Sequence, residues 1–165
     1  MQEEIFDVVD AEDRVIGQAP RSEVHRRGLL HRAVHIFVFN SRGELLLQRR
    51  SAMKDEFPLC YTSSASGHLG TGESYDECAP RELQEELGLT SSLEFLAQVP
   101  ASPEMANEHT ALYRTVTDEP PVPDPGEIDR IEFRDPGEIA AMLEREPERF
   151  APPFRVLFQW YVQNR

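Results

Sequence analysis

Residues 67–89 read GHLGTGESYDECAPRELQEELGL, and this stretch decides the fold. Its second half, Ser74 to Leu87, predicts a helix. Ser74 with Glu77 three residues on is a capping-box signature, and Gly88 stands where a C′ glycine ends a helix. Ala79, Leu83 and Leu87 recur at fours and share a face that would pack on a sheet. Pro80 lacks an amide donor and would clash with the carbonyl of Asp76, which predicts a kink or an irregular first turn, with the regular part starting near Pro80. Glu82, Glu85 and Glu86 follow at i, i+3, i+4 and project from one side. Taken alone, they fit a solvated acidic face. Crowded together, they repel, and a hard cation resolves the repulsion: Mg²⁺ takes oxygen ligands, keeps several waters, and binds one or two carboxylates plus substrate phosphates.

Outward from this helix, strands dominate the first half. Glu4 to Gly17 alternates in places about an acidic turn and predicts a β-hairpin. Val34 to Asn40 and Glu44 to Arg49 predict strands around the turn Ser41-Arg42-Gly43. Tyr61 to Ser66 reads as a shorter polar strand or loop. Leu93 to Val99, Thr110 to Val116 and Arg130 to Phe133 predict strands, and Ile139 to Arg145 and Pro153 to Val162 predict helices. The Pro/Gly stretches Glu119 to Gly126 and Asp135 to Gly137 read as loops or turns. Helices set among strand groups give an α/β class, a mixed α+β layered domain.

The 165 residues fit one domain spanning 1–165, long enough to bury a core without staples. With 28% charged and 39% hydrophobic residues the chain is of the ordinary globular class, not a disordered one. No apolar run is long enough for a membrane span, and the acidic start MQEEIFDVVD lacks a signal pattern, so a cytoplasmic protein is expected. A net charge of −13 opposes binding to a nucleic-acid polymer. It leaves open a small phosphorylated substrate, because a metal ion supplies positive charge locally. Cys60 and Cys78 make no disulfide framework and read as small buried or half-buried hydrophobes. Phe37, Phe39, Tyr61, Phe95, Tyr113, Phe154, Phe158, Trp160 and Tyr161 read as core, so no aromatic cluster marks a base pocket. The run from Phe154 to Val162 would pack as a helix or cover a homodimer interface.

Counted from Gly67, the spacing is five residues to Glu73, seven to Arg81-Glu82-Leu83, one to Glu85-Glu86, and one to Gly88-Leu89. This resembles the Nudix box at every fixed position. The resemblance implies an α/β/α sandwich and a hydrolase of diphosphate linkages that uses Mg²⁺, with Mn²⁺ as a substitute. Carried onto these positions, it makes Glu85 and Glu86 principal metal ligands, Glu82 a further ligand directly or through water, and the Gly67 carbonyl another. Arg81 would hold the glutamates, Glu73 would orient the loop, and Gly88 would let the helix end. A carboxylate could take the proton of the attacking water; Glu85 is the first candidate and Glu108 the second.

A narrower resemblance is to type 1 isopentenyl diphosphate isomerase, carried by Gly28 to Val34 (GLLHRAV), Gln48 to Pro58 (QRRSAMKDEFP), Ser66-Gly67-His68 and Asn107-Glu108. It implies a second metal site from His31, His68, His25 and Glu108, and a diphosphate held by Arg50 and Lys54. The second glutamate of that site aligns with Ala106, and the catalytic cysteine aligns with Ser66, whose hydroxyl is far less acidic than a thiol. Those losses, with the box glutamates intact, favour hydrolysis over isomerisation. A non-catalytic ligand-binding domain is the third reading. His109 has no assigned role.

Overall fold

Along β3 (His31–Phe39) the side chains alternate between two cores. Val34, Ile36 and Val38 join Leu46, Ala111 and Tyr113 against Cys78, Ala79, Leu83 and Leu87 of helix α2 (Tyr75–Leu87). Phe37 and Phe39 join Leu45, Leu47 and Leu112 against Ile139, Met142, Phe154, Leu157 and Phe158. The period-2 pleat therefore buries both faces of the sheet, and each fully buried Leu or Phe contributes about 1.5–3 kcal/mol. The result is the expected three-layer α/β/α sandwich, in a computed structural model that describes residues 3–165.

The elements run β1 (Ile5–Val9), β2 (Val15–Pro20), α1 (Arg21–Arg27), β3, β4 (Leu45–Arg50), β5 (Tyr61–Thr62), β6 (Ala65–His68), α2 (Tyr75–Leu87), β7 (Glu94–Val99), β8 (Glu108–Val116), β9 (Ile128–Arg134), α3 (Pro136–Arg145) and α4 (Pro152–Asn164). β1 and β2 form the N-terminal hairpin as a separate sheet, and the remaining strands form one mixed sheet. β3 and β8 pair in parallel, which sets His31 beside Glu108. β3 and β4 share the single ladder position Phe39↔Leu45 and then part. Into the gap the chain inserts β5, paired with β4, and β6, paired with β3. That divergence opens the cleft described below.

Four expectations need correction. First, α2 is helical from Tyr75, not from near Pro80. Ser74 and Glu77 form both bonds of the capping box, Cys78 and Ala79 are buried, and the Tyr113 hydroxyl donates to Asp76 (2.6 Å), so the first turn is held despite the bond Pro80 cannot make. Second, Asp135 to Gly137 is not a free turn. Asp135 accepts from the Gly137 amide and caps α3, with Pro136 at its start. Third, Phe95 lies on strand β7 and is 54% exposed, outside either core. Fourth, α1 was not foreseen. It is too short to show a hydrophobic period, and it ends at Gly28, whose φ of 62° places it in the left-handed region.

His109 also finds a role. Its Nδ1 accepts from the Ala101 amide (3.1 Å) and its Nε2 faces the Asp10 carbonyl (3.0 Å), so one imidazole ties the hairpin to the sheet. Cys78 is buried and Cys60 half-buried. Among the described residues no helix is long and apolar enough to cross a membrane.

Candidate active site

Where β3 and β4 part, a cleft of about 310 Å³ opens between β6, the carboxylates of α2, and the loop after β4. One wall is built on Arg81. Its guanidinium grips Glu73 through two bonds (2.7 and 2.8 Å), reaches Glu82 (2.8 Å) and Glu85 (3.1 Å), and donates to the His68 carbonyl (3.2 Å). Glu73 in turn accepts from the Gly70 amide, fixing the loop before the helix. Hydrogen bonding from Arg81 holds the Glu73 carboxyl below its ordinary range. Gly88, with φ of 66°, ends the helix.

Glu82 folds back onto β6. A Cβ placed on Gly67 would stand 2.1 Å from the Glu82 carboxyl carbon, so only glycine leaves room for this carboxylate. Burial pushes the Glu82 carboxyl up to about 7 against the pull of Arg81. One turn on, Glu86 is buried and accepts from the Ser66 amide (3.0 Å) and from Gln48 (3.2 Å). Burial, with Glu82 beside it, pushes its carboxyl up to about 8. Glu85 is the exposed member of the set, its side chain 53% accessible. Two desolvated carboxylates side by side with one at the rim form an all-oxygen donor set whose charge the single Arg81 offsets only in part, which fits a hard divalent cation.

Opposite stand Arg50 and Lys54. Arg50 donates from Nε to the Glu56 carbonyl (2.9 Å) and pairs with no carboxylate among the described residues, so the rest of its guanidinium is open to a phosphate. Lys54 differs from expectation: its ammonium is held by Glu127 at 2.5 Å. Glu127 and Asp124 line the cleft and were not foreseen. Asp124 lies in the proline-rich loop and Glu127 follows it, and the loop folds over the end of α2: the amides of Val122 and Asp124 donate to the carbonyls of Leu87 and Glu86. Only that long-range closure brings Glu127 to the glutamates, and an acidic residue at the end of a long loop is the sole signal a sequence carries.

Glu108 lies apart from the box as a histidine partner. His68 Nε2 is 2.6 Å and His31 Nε2 3.3 Å from the same carboxylate oxygen. Burial alone would raise the Glu108 carboxyl, but the two imidazoles outweigh it and hold it well below the ordinary range. Glu108 therefore sits among the histidines, the second of the two places expected for it. His25 completes that cluster from α1, with ring centroids 5.7 Å from both His31 and His68. Glu56, which sequence reasoning passed over, approaches His25 Nε2 at 3.4 Å. Buried His35, also unforeseen, lines the cleft with Nδ1 on the Ser63 hydroxyl (2.7 Å), and burial pushes its imidazole down to about 4.

Residues 29–160 match the model of the NUDIX domain. The chain is 34% identical over 153 residues to a protein named isopentenyl-diphosphate Delta-isomerase from Nocardia farcinica, covering 88% of this chain and 87% of that one. It is 52% identical over 87 residues to an uncharacterized Nudix hydrolase of Nostoc sp., covering 52% of each. Among solved structures, DR0079 of Deinococcus radiodurans superposes with a TM-score of 0.77 at 31% identity, covering 87% of this chain and 90% of that one. Box, sandwich and relatives agree, and the chain belongs to the Nudix family.

Proposed function

We propose that this chain is a Mg²⁺-dependent hydrolase that cleaves a diphosphate (P–O–P) linkage in a nucleoside diphosphate derivative or a similarly small phosphorylated metabolite. The observation that carries the reading is the Glu82 carboxylate seated on the bare Cα of Gly67 beside buried Glu86. A bound Mg²⁺ or Mn²⁺ neutralises charge on the phosphoryl oxygens and acidifies an attacking water. Glu85 and Glu86 are the principal ligands, with Glu82 and the Gly67 carbonyl completing the protein's share. Arg81 keeps the carboxylates from splaying. Arg50 clamps the distal phosphate, with Lys54 beside it once a phosphate competes for Glu127. A water on the cleft side attacks phosphorus, the bridging P–O bond breaks, and Glu85, at the rim, takes the water's proton. The same reading gives His25, His31, His68 and Glu108 a second ion.

Relatives named as isomerases support a second reading, isomerisation of an isoprenoid diphosphate. Against it stands Ser66 in place of the thiol. Cys78 is buried on α2 with its thiol pushed up by that burial, and no cysteine lines the cleft. The test is a panel of nucleoside diphosphate derivatives, coenzyme A and isopentenyl diphosphate, followed by phosphorus NMR with Mg²⁺ and with chelator. P–O–P cleavage that stops on chelation is expected; double-bond migration without cleavage would replace the proposal.

Two substitutions sharpen it. Ser66→Ala should leave turnover within about twofold of wild type, since only the Ser66 backbone amide touches Glu86. A large loss would restore a chemical role for that hydroxyl. Arg50→Ala should raise KM roughly 10–100-fold, the equivalent of about 1.5–3 kcal/mol for a charge-assisted bond. An unchanged KM would place the phosphate elsewhere.

A further inference from the structure

We infer that Glu56 is a metal ligand, completing a site for a first-row transition cation with His25, His31, His68 and Glu108 in place of the carboxylate that Ala106 cannot provide. This rests on the second-ion reading of the histidine cluster and not on hydrolysis at the box.

The ligand atoms of His25, His31 and His68 all lie within 4.8 Å of one another, and so do those of Glu56, His68 and Glu108, with His68 common to both groups. Ligands trans across a cation at about 2.1 Å stand roughly 4.2 Å apart, so these spacings are near those of a coordination shell. The cluster is also incomplete as it stands. The Nε2 atoms of His25 and His31 are buried and make no well-directed hydrogen bond, although the carboxylates of Glu56 and Glu108 stand 3.4 and 3.3 Å from them, and His31 is 1% exposed. Buried polar atoms are normally satisfied.

Two of the three rings are held from behind by an oxygen. Nδ1 of His31 faces the Leu29 carbonyl (2.9 Å) and Nδ1 of His25 the Asp55 carboxylate (3.5 Å), whereas Nδ1 of His68 accepts from the Arg21 guanidinium (3.4 Å), a bond that must be given up for His68 to ligate through Nε2. Carbonyl and carboxylate partners of this kind fix ligating imidazoles with Nε2 toward the ion. Ala106 lines the same cleft without a donor side chain. Glu56 stands on the loop after β4, with its carboxylate 3.4 Å from His25 Nε2. Imidazole nitrogens with two carboxylates suit Zn²⁺, Fe²⁺ or Mn²⁺ more than Mg²⁺.

Glu56→Gln removes the charge without removing the bonds that shape the loop. Those are Arg50 Nε to the Glu56 carbonyl, the Leu59 amide to the Arg50 carbonyl, and the Cys60 amide to the Phe57 carbonyl. The experiment titrates the full chain with Co²⁺, following its visible absorption and chelator competition. Nitrogen ligation distinguishes this site from the all-oxygen box. Losing a supporting partner behind a ligand costs 10–100-fold in affinity, so losing a ligand should cost at least about 100-fold.

Wild type should bind one Co²⁺ with a nitrogen-rich spectrum, Glu56→Gln should weaken it at least about 100-fold, and Glu56→Gln with Ala106→Glu should recover most of the loss. Wild-type affinity in Glu56→Gln would overturn the inference. So would a loss that Ala106→Glu does not restore, which would make Glu56 a loop support, or the absence of a nitrogen-rich site in wild type. Each of these outcomes leaves the hydrolase proposal standing, because Mg²⁺-dependent cleavage is read separately.

Discussion

Glu86→Gln is expected to lower turnover on a diphosphate substrate by about three orders of magnitude, with the melting temperature within about 3 °C of wild type. The two halves of this expectation have one cause. Glu86 is buried beside Glu82 with its carboxyl pushed up to about 8, so the protein gains nothing from that charge in the absence of a cation. The amide replacement keeps the shape and an oxygen that accepts from the Ser66 amide, a bond Glu86 makes at 3.0 Å. On the proposed function, what it removes is the capacity to ionise toward the cleft, and with it a grip on the ion that would neutralise the phosphoryl oxygens. Removing a single neutral donor from a transition-state site already costs about 10²–10³, and a charged ligand should cost at least the upper end of that range. Calorimetry and product release measured together check it. Turnover within threefold of wild type would remove Glu86 from the reaction.

Gly67→Ala is expected to cost about 10²–10³ in turnover through a contact rather than a lost ligand. The added Cβ would lie 2.1 Å from the carboxyl carbon of Glu82 and 2.3 and 2.5 Å from its oxygens. Glu82 must swing away, and the carboxylate set opens. Gly67 pairs with Val34 inside β6 and is not among the residues with positive φ, so alanine meets no backbone strain there. A double-mutant cycle isolates the cause: in a Glu82→Ala background, Gly67→Ala should add almost nothing. Additive losses would mean that the glycine serves another purpose.

The box was legible because its information is local. Helix capping, the i, i+3, i+4 spacing and the fixed glycines all lie within one loop and one helix, so a linear pattern reports a three-dimensional arrangement. The strands were legible for the related reason that β3 and β4 are short, largely apolar runs, buried on both faces over most of their length. Legibility stopped where distant segments meet. Glu127 reaches the box only because the proline-rich loop closes the end of α2, and Glu56 reaches the histidines only because the loop after β4 turns toward α1. Neither residue carries a spacing signal. Glu108 has two expected roles because its neighbours in sequence say nothing about what it faces; the parallel register of β3 and β8 sets it beside His31. Pro80 was over-read, since propensity alone ignored the buried contacts that hold the turn. Phe95 was over-read because an edge strand presents one face to water.

On the proposed function, the α2 carboxylates are gathered to hold a hard divalent cation. Crystals grown with MnCl₂ and measured at the manganese edge test it most directly. The prediction is an anomalous peak about 2.1 Å from carboxylate oxygens of Glu85 and Glu86, with Glu82 and the Gly67 carbonyl around it. A map with density only among the histidines, and Glu82, Glu85 and Glu86 turned out into solvent, would contradict it.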